Sequence, residues 1–317
     1  MASLFSSGKK KHMKKVLAII GPTAIGKTTV GMELARKLNG EIVSCDSRQV
    51  YKLMDIGTAK PTKEEQAQTV HHLIDIVYPD ERFSAGLYEK KATAVINDIF
   101  IRQKLPILVG GSGLYLRALE SGLFQGPPAD DKLRESLRKE KERLGLENLY
   151  QKLKKVDPKT SQKISPTDEI RIIRGLEVHE LTGKPISEWQ EKGQYGDKNL
   201  NFIKFGLNLE RKALYQRINQ RVDKMMQAGF LEEVKNLMSK NYSFQLPALR
   251  TFGYLDMEAY IRGKISLDEA LEKFKQGTRN YAKRQLTWFR SDEKMEWIDI
   301  EHENPLETVL GKFQHAN

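Results

Sequence analysis

The chain has 317 residues, 39% of them hydrophobic, and a formal net charge of +11. No run reaches the ~20 apolar residues of a membrane-spanning helix and the N-terminus lacks the apolar core of a signal peptide, so a cytoplasmic globule is expected. Its single cysteine, Cys45, excludes an intramolecular disulfide and any multi-cysteine zinc cluster.

Five of the positive charges are Lys9, Lys10, Lys11, Lys14 and Lys15, so the body keeps a surplus of about six, which suits a polyanionic partner. Residues 1–13 (MASLFSSGKKKHM) read as a disordered basic tail; without arginine they make a poor organellar presequence.

VLAII (16–20) is a continuous apolar run ending at a glycine, as a buried parallel strand requires. Behind it Val30, Leu34 and Leu38 recur at helical spacing until Asn39 and Gly40 stop the helix. EIVSCD (41–46) predicts a second strand ending at Asp46. Ser84 predicts the cap of a helix with Ala92, Val95, Ile96 and Ile99 on one face, and PILVGG (106–111) a third strand. Such alternation predicts an α/β protein with a parallel sheet flanked by helices.

After GLFQGPPADD (122–131) the composition turns charged and helix-prone, with Leu133 and Leu137 one turn apart. Residues 126–200 are therefore expected to form an all-helical insertion between core segments 14–125 and 201–317. NFIKFGLNL (201–209) predicts the return to the sheet. Leu214, Ile218 and Val222 then mark a helix face, and a last helix is expected from about Ser266.

Between the first strand and first helix stands GPTAIGKT, with the G-x-x-x-x-G-K-[ST] spacing of a phosphate-binding loop. Its backbone N–H groups can surround phosphate oxygens at the helix N-terminus, Lys27 can neutralise their charge, and Thr28 can offer a hydroxyl to Mg²⁺. The core is thus expected to be P-loop NTPase-like. The loop alone does not say whether the phosphates are a nucleotide's or an isoprenoid diphosphate's. Asp46 can accept a proton, hold metal-bound water, or cap the following helix.

GPTAIGKT, SCDSRQVY (44–51), MDIGTAKP (54–61) and VGGSGLYLRAL (109–119), with HHLIDI (71–76) between them, resemble the tRNA dimethylallyltransferase family from about residue 16 to residue 290. The resemblance implies transfer of a dimethylallyl group from dimethylallyl diphosphate to N6 of the adenosine immediately 3′ of the anticodon, releasing diphosphate. Gly21, Pro22, Thr23, Ala24, Ile25, Gly26, Lys27 and Thr28 would hold the diphosphate, with Mg²⁺ on Thr28. Lys27 and Thr28 would also take part in catalysis, assisting the leaving group. Asp46 would be the catalytic base, and Ser112, often threonine in the family, would set its hydroxyl beside the reacting centre and contact tRNA.

The same resemblance implies a tRNA anticodon stem-loop as partner, with the target base flipped out. Its contacts would come from Asp46, Ser47, Arg48, Gln49, Ser112 and Arg134, and from Ile170, Arg171, Ile172, Ile173 and Arg174. Two further segments would join them: Arg250, Thr251, Phe252, Gly253, Tyr254 and Leu255, and Lys283, Arg284, Gln285, Leu286, Thr287, Trp288, Phe289 and Arg290. The absence of a second cysteine leaves no room for the zinc finger of eukaryotic relatives and points to a bacterial-type enzyme, expected to be a monomer. His71 and His72, adjacent and so pointing apart, are expected to be structural.

A metabolite kinase with the same loop is the principal rival, but DSRQVY, MDIGTAKP, VGGSGLY and the large insertion argue against it. The insertion and the basic C-terminal helix also disfavour an enzyme of free adenine nucleotides. No strand ending in paired acids supports a nucleic-acid NTPase.

Overall fold

A computed structural model describes residues 14–124, 126–191 and 199–315. The expected basic tail and the end of the expected insertion, 192–198, lie outside these residues. The described residues divide into two compact units, one drawn from 1–120 and 197–317, the other from 121–196. The seam falls at Ser121, five residues before the composition change suggested.

The first unit opens with β1 (Lys14–Ile20), α1 (Lys27–Lys37), β2 (Gly40–Cys45), α2 (Lys63–Gln68), β3 (His71–His72), α3 (Ala85–Ile101), β4 (Leu105–Gly110) and α4 (Gly113–Ser121). The second unit is helical among its described residues: α5 (Asp131–Leu144), α6 (Leu146–Val156), α7 (Pro158–Lys163), α8 (Glu169–Thr182) and α9 (Ile186–Glu191). The first unit resumes with β5 (Leu200–Asn208), α10 (Arg211–Gln227), α11 (Phe230–Ser239), α12 (Tyr254–Ile261), α13 (Leu267–Arg290), β6 (Glu296–Asp299) and α14 (Pro305–His315).

The six strands form one parallel sheet in the order β3-β2-β4-β1-β5-β6. β1 is central, and Val16 to Ile20 are fully buried because both faces are covered, which is why the run is apolar throughout. Leu17, Ile19, Ile42 and Val109 pack on one face with α1, α10 and α14. Ala18, Ile20, Val43 and Leu108 pack on the other with α3 and α4.

A third core joins α10 to α13 with Val50, Tyr51 and Met54. Leu137, Leu149, Leu153 and Leu176 form the separate core of the helical unit.

Helix signals act where the sequence places them. Ser84 and Ser266 accept the N–H groups of Leu87 and Glu269 and so cap α3 and α13. The expectation that the helix after Ser266 is the last is corrected: β6 and α14 follow it. Glu296–Asp299 is too short to show a pattern, and it is a strand because it pairs with the exposed edge of β5.

Register decides where function can gather. Ile20 and Cys45 both lie opposite Gly110, so Gly21, Asp46 and Gly111 leave the sheet at one level. These are C-terminal strand ends, where open parallel sheets bind ligands. With β4 between them, β1 and β2 lie about 10 Å apart.

Candidate active site

The site is a cavity of about 500 Å³ in the first unit, walled by the phosphate loop, the end of β2, residues 58–61, α10 and α13. The loop's shape depends on Gly26, whose φ of 101° is open to glycine at little cost, and α1 starts at the next residue. Lys27 donates to the Pro22 carbonyl at 2.6 Å, which folds the side chain over its own loop. The residue keeps some exposed surface, yet its ammonium is enclosed. Burial, reinforced by the Arg221 guanidinium and opposed by Asp46, pulls Lys27 down to about 7.

Arg221 is one of four polar residues on α10, with Arg217, Gln220 and Lys224, that face the cavity at helical spacing. Burial lowers the Arg221 guanidinium, and the Asp46 carboxylate opposes that shift. The sequence contained the signal: KALYQRINQRVDK carries Arg217, Arg221 and Lys224 beside the buried Leu214, Ile218 and Val222. Reading the apolar stripe alone missed the basic one.

Asp46 stands in the first position after β2. Its Oδ1 accepts the N–H groups of Arg48 and Gln49 at 2.8 and 3.3 Å, so the carboxylate caps the turn that carries it. Its Oδ2 makes no hydrogen bond among the described residues and is the oxygen left for chemistry. Capping and catalysis therefore use different oxygens.

Ser112 follows β4 and is 9% exposed; its Oγ accepts the Ser47 N–H at 2.9 Å. Tyr281 of α13 sets its phenol against the same hydroxyl, and burial, with the Asp46 charge, pushes that phenol well above its ordinary range. Tyr281 was not anticipated, since an aromatic on a helix reads as core.

The flanking residues have structural work. Arg48 donates to the carbonyls of Pro247 and Ala248, and Gln49 donates to Ala59 O at 3.1 Å while accepting from Ser44. Lys60, buried in MDIGTAKP, donates to Tyr51 O, Asp55 and Asp75. The Glu233 carboxylate accepts the N–H groups of Asp55, Ile56 and Gly57, and the two knots together fix the wall at Thr58 to Pro61. His72 bonds Glu41, and His71 bonds Thr69 O while lining the cavity.

The expected tRNA segments divide by exposure. On α13, Lys283, Arg284, Thr287 and Arg290 are exposed, Leu286 and Trp288 half-buried, and Gln285 and Phe289 buried. Before α12 and in its first turn, Arg250 is exposed and Thr251, Phe252 and Leu255 half-buried; Gly253 and Tyr254 are buried, Tyr254 donating to Glu233.

In the helical unit Ile170 and Arg171 are exposed, while Ile172 and Ile173 belong to the core. The buried members, Gly253, Tyr254, Ile172, Ile173, Gln285 and Phe289, turn inward instead of presenting side chains at the surface. Arg134 and Arg174 are engaged on the fully buried Glu177, Arg134 through both prongs at 2.8 and 2.9 Å.

Among the described residues no group of three or more His, Cys, Asp and Glu could hold a metal ion, and none is long and apolar enough, as a helix, to cross a membrane. Mg²⁺ commonly keeps water and substrate phosphates and takes only one or two protein oxygens, so the Thr28 hydroxyl in a phosphate-binding cavity fits such an ion.

Comparison with known proteins identifies the family. The family model described as IPP transferase matches residues 49–292. The tRNA dimethylallyltransferase of Geobacter metallireducens is 44% identical, covering 97% of this chain and all of that protein. That of Syntrophobacter fumaroxidans is 48% identical over 92% of this chain and 85% of its own.

Among solved structures, the tRNA isopentenylpyrophosphate transferase of Bacillus halodurans is 40% identical with a TM-score of 0.69, covering 95% of this chain and 97% of that one. A eukaryotic dimethylallyltransferase acting on tRNA is 28% identical with a TM-score of 0.78, covering 96% and 80%. The chain belongs to the IPP transferase family.

Proposed function

We propose that this chain transfers the dimethylallyl group of dimethylallyl diphosphate to N6 of the adenosine immediately 3′ of the anticodon in tRNA. The observation that carries the reading is the convergence of Lys27, Arg221 and the free Oδ2 of Asp46 on one cavity above a phosphate loop. Cations there meet the leaving group, and the carboxylate meets the nucleophile.

The bond between C1 and the diphosphate oxygen breaks, and its electron pair leaves with the diphosphate. The lone pair of N6 forms the new N–C1 bond, and the N6 proton passes to Asp46 Oδ2. Loop amides, Lys27 and Arg221 stabilise charge as it develops on the departing oxygens. When bound, Mg²⁺ would supply further charge compensation, with the Thr28 hydroxyl as its protein ligand. Ser112, held by Ser47 N–H and Tyr281, lies next to the base and can orient the adenine.

The exposed Lys283, Arg284, Thr287 and Arg290, with Arg250, are the first unit's surface for the anticodon stem-loop; Arg171 and Ile170 offer contacts from the helical insertion. The flipped adenine enters from the Asp46 side of the cavity. We read the protein as a cytoplasmic monomer.

The test is transfer of labelled dimethylallyl from its diphosphate to tRNA in the presence of Mg²⁺. Label moving from ATP to a small metabolite, with none on tRNA, would replace this reading with that of a kinase.

A further inference from the structure

Gln285 lies in a segment expected to touch RNA, yet it is 6% exposed and faces inward. Its Oε1 accepts the Thr23 N–H at 2.9 Å, and its Nε2 donates to the Gly111 carbonyl at 2.9 Å. The partners fix the amide's orientation, because a backbone N–H can only donate and a carbonyl can only accept. Thr23 belongs to the phosphate loop, and Gly111 directly precedes Ser112. A Cβ on Gly111 would fall 2.2 Å from Gln285 Nε2, so glycine is what lets the amide reach its place.

Tyr281 and Trp288 share this face of α13 at i−4 and i+3. Tyr281 meets Ser112, and Trp288 packs where a Cβ on Gly113 would fall 2.2 Å from its ring. Three side chains of one helix thus hold three consecutive residues of the turn after β4, and only Gln285 reaches across to the phosphate loop.

We propose that Gln285 is a positioning residue that locks the phosphate loop to the Ser112 turn, setting the diphosphate at a fixed place relative to the group that faces the adenine. The proposal rests on the functional reading above for the identity of the two substrates. Thr23 N–H is spent on Gln285, so the loop half at Thr23 is held by α13 while the amides from Ala24 onward serve the anion. The opposite side of α13 carries the exposed Lys283 and Thr287, which makes one rigid helix both the RNA-facing surface and the brace of the diphosphate site.

The test compares Gln285→Met, which keeps length and loses both bonds, with Gln285→Glu, which keeps the acceptor and donates to Gly111 only when protonated. A carboxyl buried against a carbonyl is neutral more readily at lower pH. Each folded variant, checked by thermal melting, is titrated calorimetrically with inorganic diphosphate at pH 8 and pH 6, and affinity is expressed relative to the parent at the same pH. The expected result is a loss of about tenfold for Gln285→Met at both values, and for Gln285→Glu a similar loss at pH 8 that shrinks to less than about threefold at pH 6.

In the transfer assay the Met variant's loss falls on the diphosphate donor's KM, while the KM for tRNA stays within about twofold. A general packing defect would move neither the pH ratio nor one KM alone. Equal diphosphate affinity in parent and Met variant, or a Glu variant equally impaired at both pH values, overturns the proposal. A parent that binds diphosphate but prenylates no tRNA defeats the functional reading instead, and the calorimetric comparison decides the role of Gln285 in either case.

Discussion

The hydroxyl of Ser112 accepts the backbone N–H of Ser47 at 2.9 Å, tying the turn after β4 to the residue beside Asp46. Ser112→Ala removes that acceptor and leaves a part-buried N–H unpaired, which costs about 1–3 kcal/mol and loosens the base's own turn. The expected outcome is a fall of about 10- to 100-fold in single-turnover transfer with tRNA affinity changed less than about threefold. Ser112→Thr keeps the hydroxyl and should retain most of the rate. Single-turnover kinetics on both variants check this, and an Ala variant with parental rate would remove Ser112 from the site.

Asp46 offers a cleaner separation, because Oδ1 caps the turn and Oδ2 is free. Asn at this position retains an oxygen that can accept both N–H groups but cannot take a proton at N6's expense. Asp46→Asn is expected to keep the parental melting temperature and lose transfer by about a thousandfold or more, with tRNA affinity within about tenfold. Asp46→Ala should lose transfer as deeply and also melt lower, since its cap is gone and a cap contributes about 1 kcal/mol. Melting curves beside transfer rates separate the two roles. If the Asn variant melted as low as the Ala variant, the division of labour between the two oxygens would be wrong.

Much of this site was legible because strand ends, glycines and charge are local signals. VLAII followed by GPTAIGKT fixes a buried strand, a loop and a helix within 14–37, and Asp46 at the end of EIVSCD needs only the parallel sheet to reach the loop's level. What the sequence hid depends on distant packing. Tyr281 and Gln285 look like ordinary members of an amphipathic helix until α13 is laid against residues 111–113, and Arg221 looks like solvent-facing charge until α10 closes the cavity.

Likewise Arg134 and Arg174 read as free cations for RNA, whereas the buried Glu177 that engages them lies on the same α8 stretch and gave no sign of burial. β6 escaped notice for the same reason, since four residues become a strand only beside β5.

The Glu177 cluster makes its own prediction for the helical unit. Burial alone would raise this carboxyl, but the two guanidiniums and the Asp130 N–H outweigh burial and hold it below its ordinary value near 4.5. A carboxylate depressed in the folded state contributes stability above the unfolded value, and that contribution is lost as pH falls through the folded one. Glu177→Ala removes two ion pairs and the acceptor of Asp130 N–H, and is expected to cost about 2–3 kcal/mol, less than a wholly buried pair because both arginines retain some exposure. Thermal unfolding followed at pH 7 and below pH 4 checks it: the gap between parent and variant should narrow in acid. A gap that stays constant would assign the loss to packing rather than charge.

Lys27 couples diphosphate binding to pH. Burial and Arg221 hold its ammonium at about 7 in the free protein, against an ordinary value of 10.5, so above neutrality most molecules carry it uncharged. An alkyl diphosphate is almost fully ionised above about pH 7, and it favours the charged ammonium, so binding takes up a proton at Lys27, approaching one per site as pH rises above neutrality. From about pH 7.5 to 9 donor affinity is therefore expected to fall by up to tenfold per pH unit, with the proton uptake visible in calorimetry as a dependence on buffer ionisation heat.

The effect on the free protein has the opposite sense. Between about 7 and 10.5 the unfolded chain binds more protons at Lys27 than the folded one, so the residue's contribution to stability rises with pH across that window. Lys27→Met removes a desolvated ammonium, and is expected to raise the melting temperature of the free protein near pH 7 while abolishing measurable diphosphate binding. A variant that melted lower and bound diphosphate no more weakly than the parent would show that Lys27 braces the loop through Pro22 instead of serving the anion.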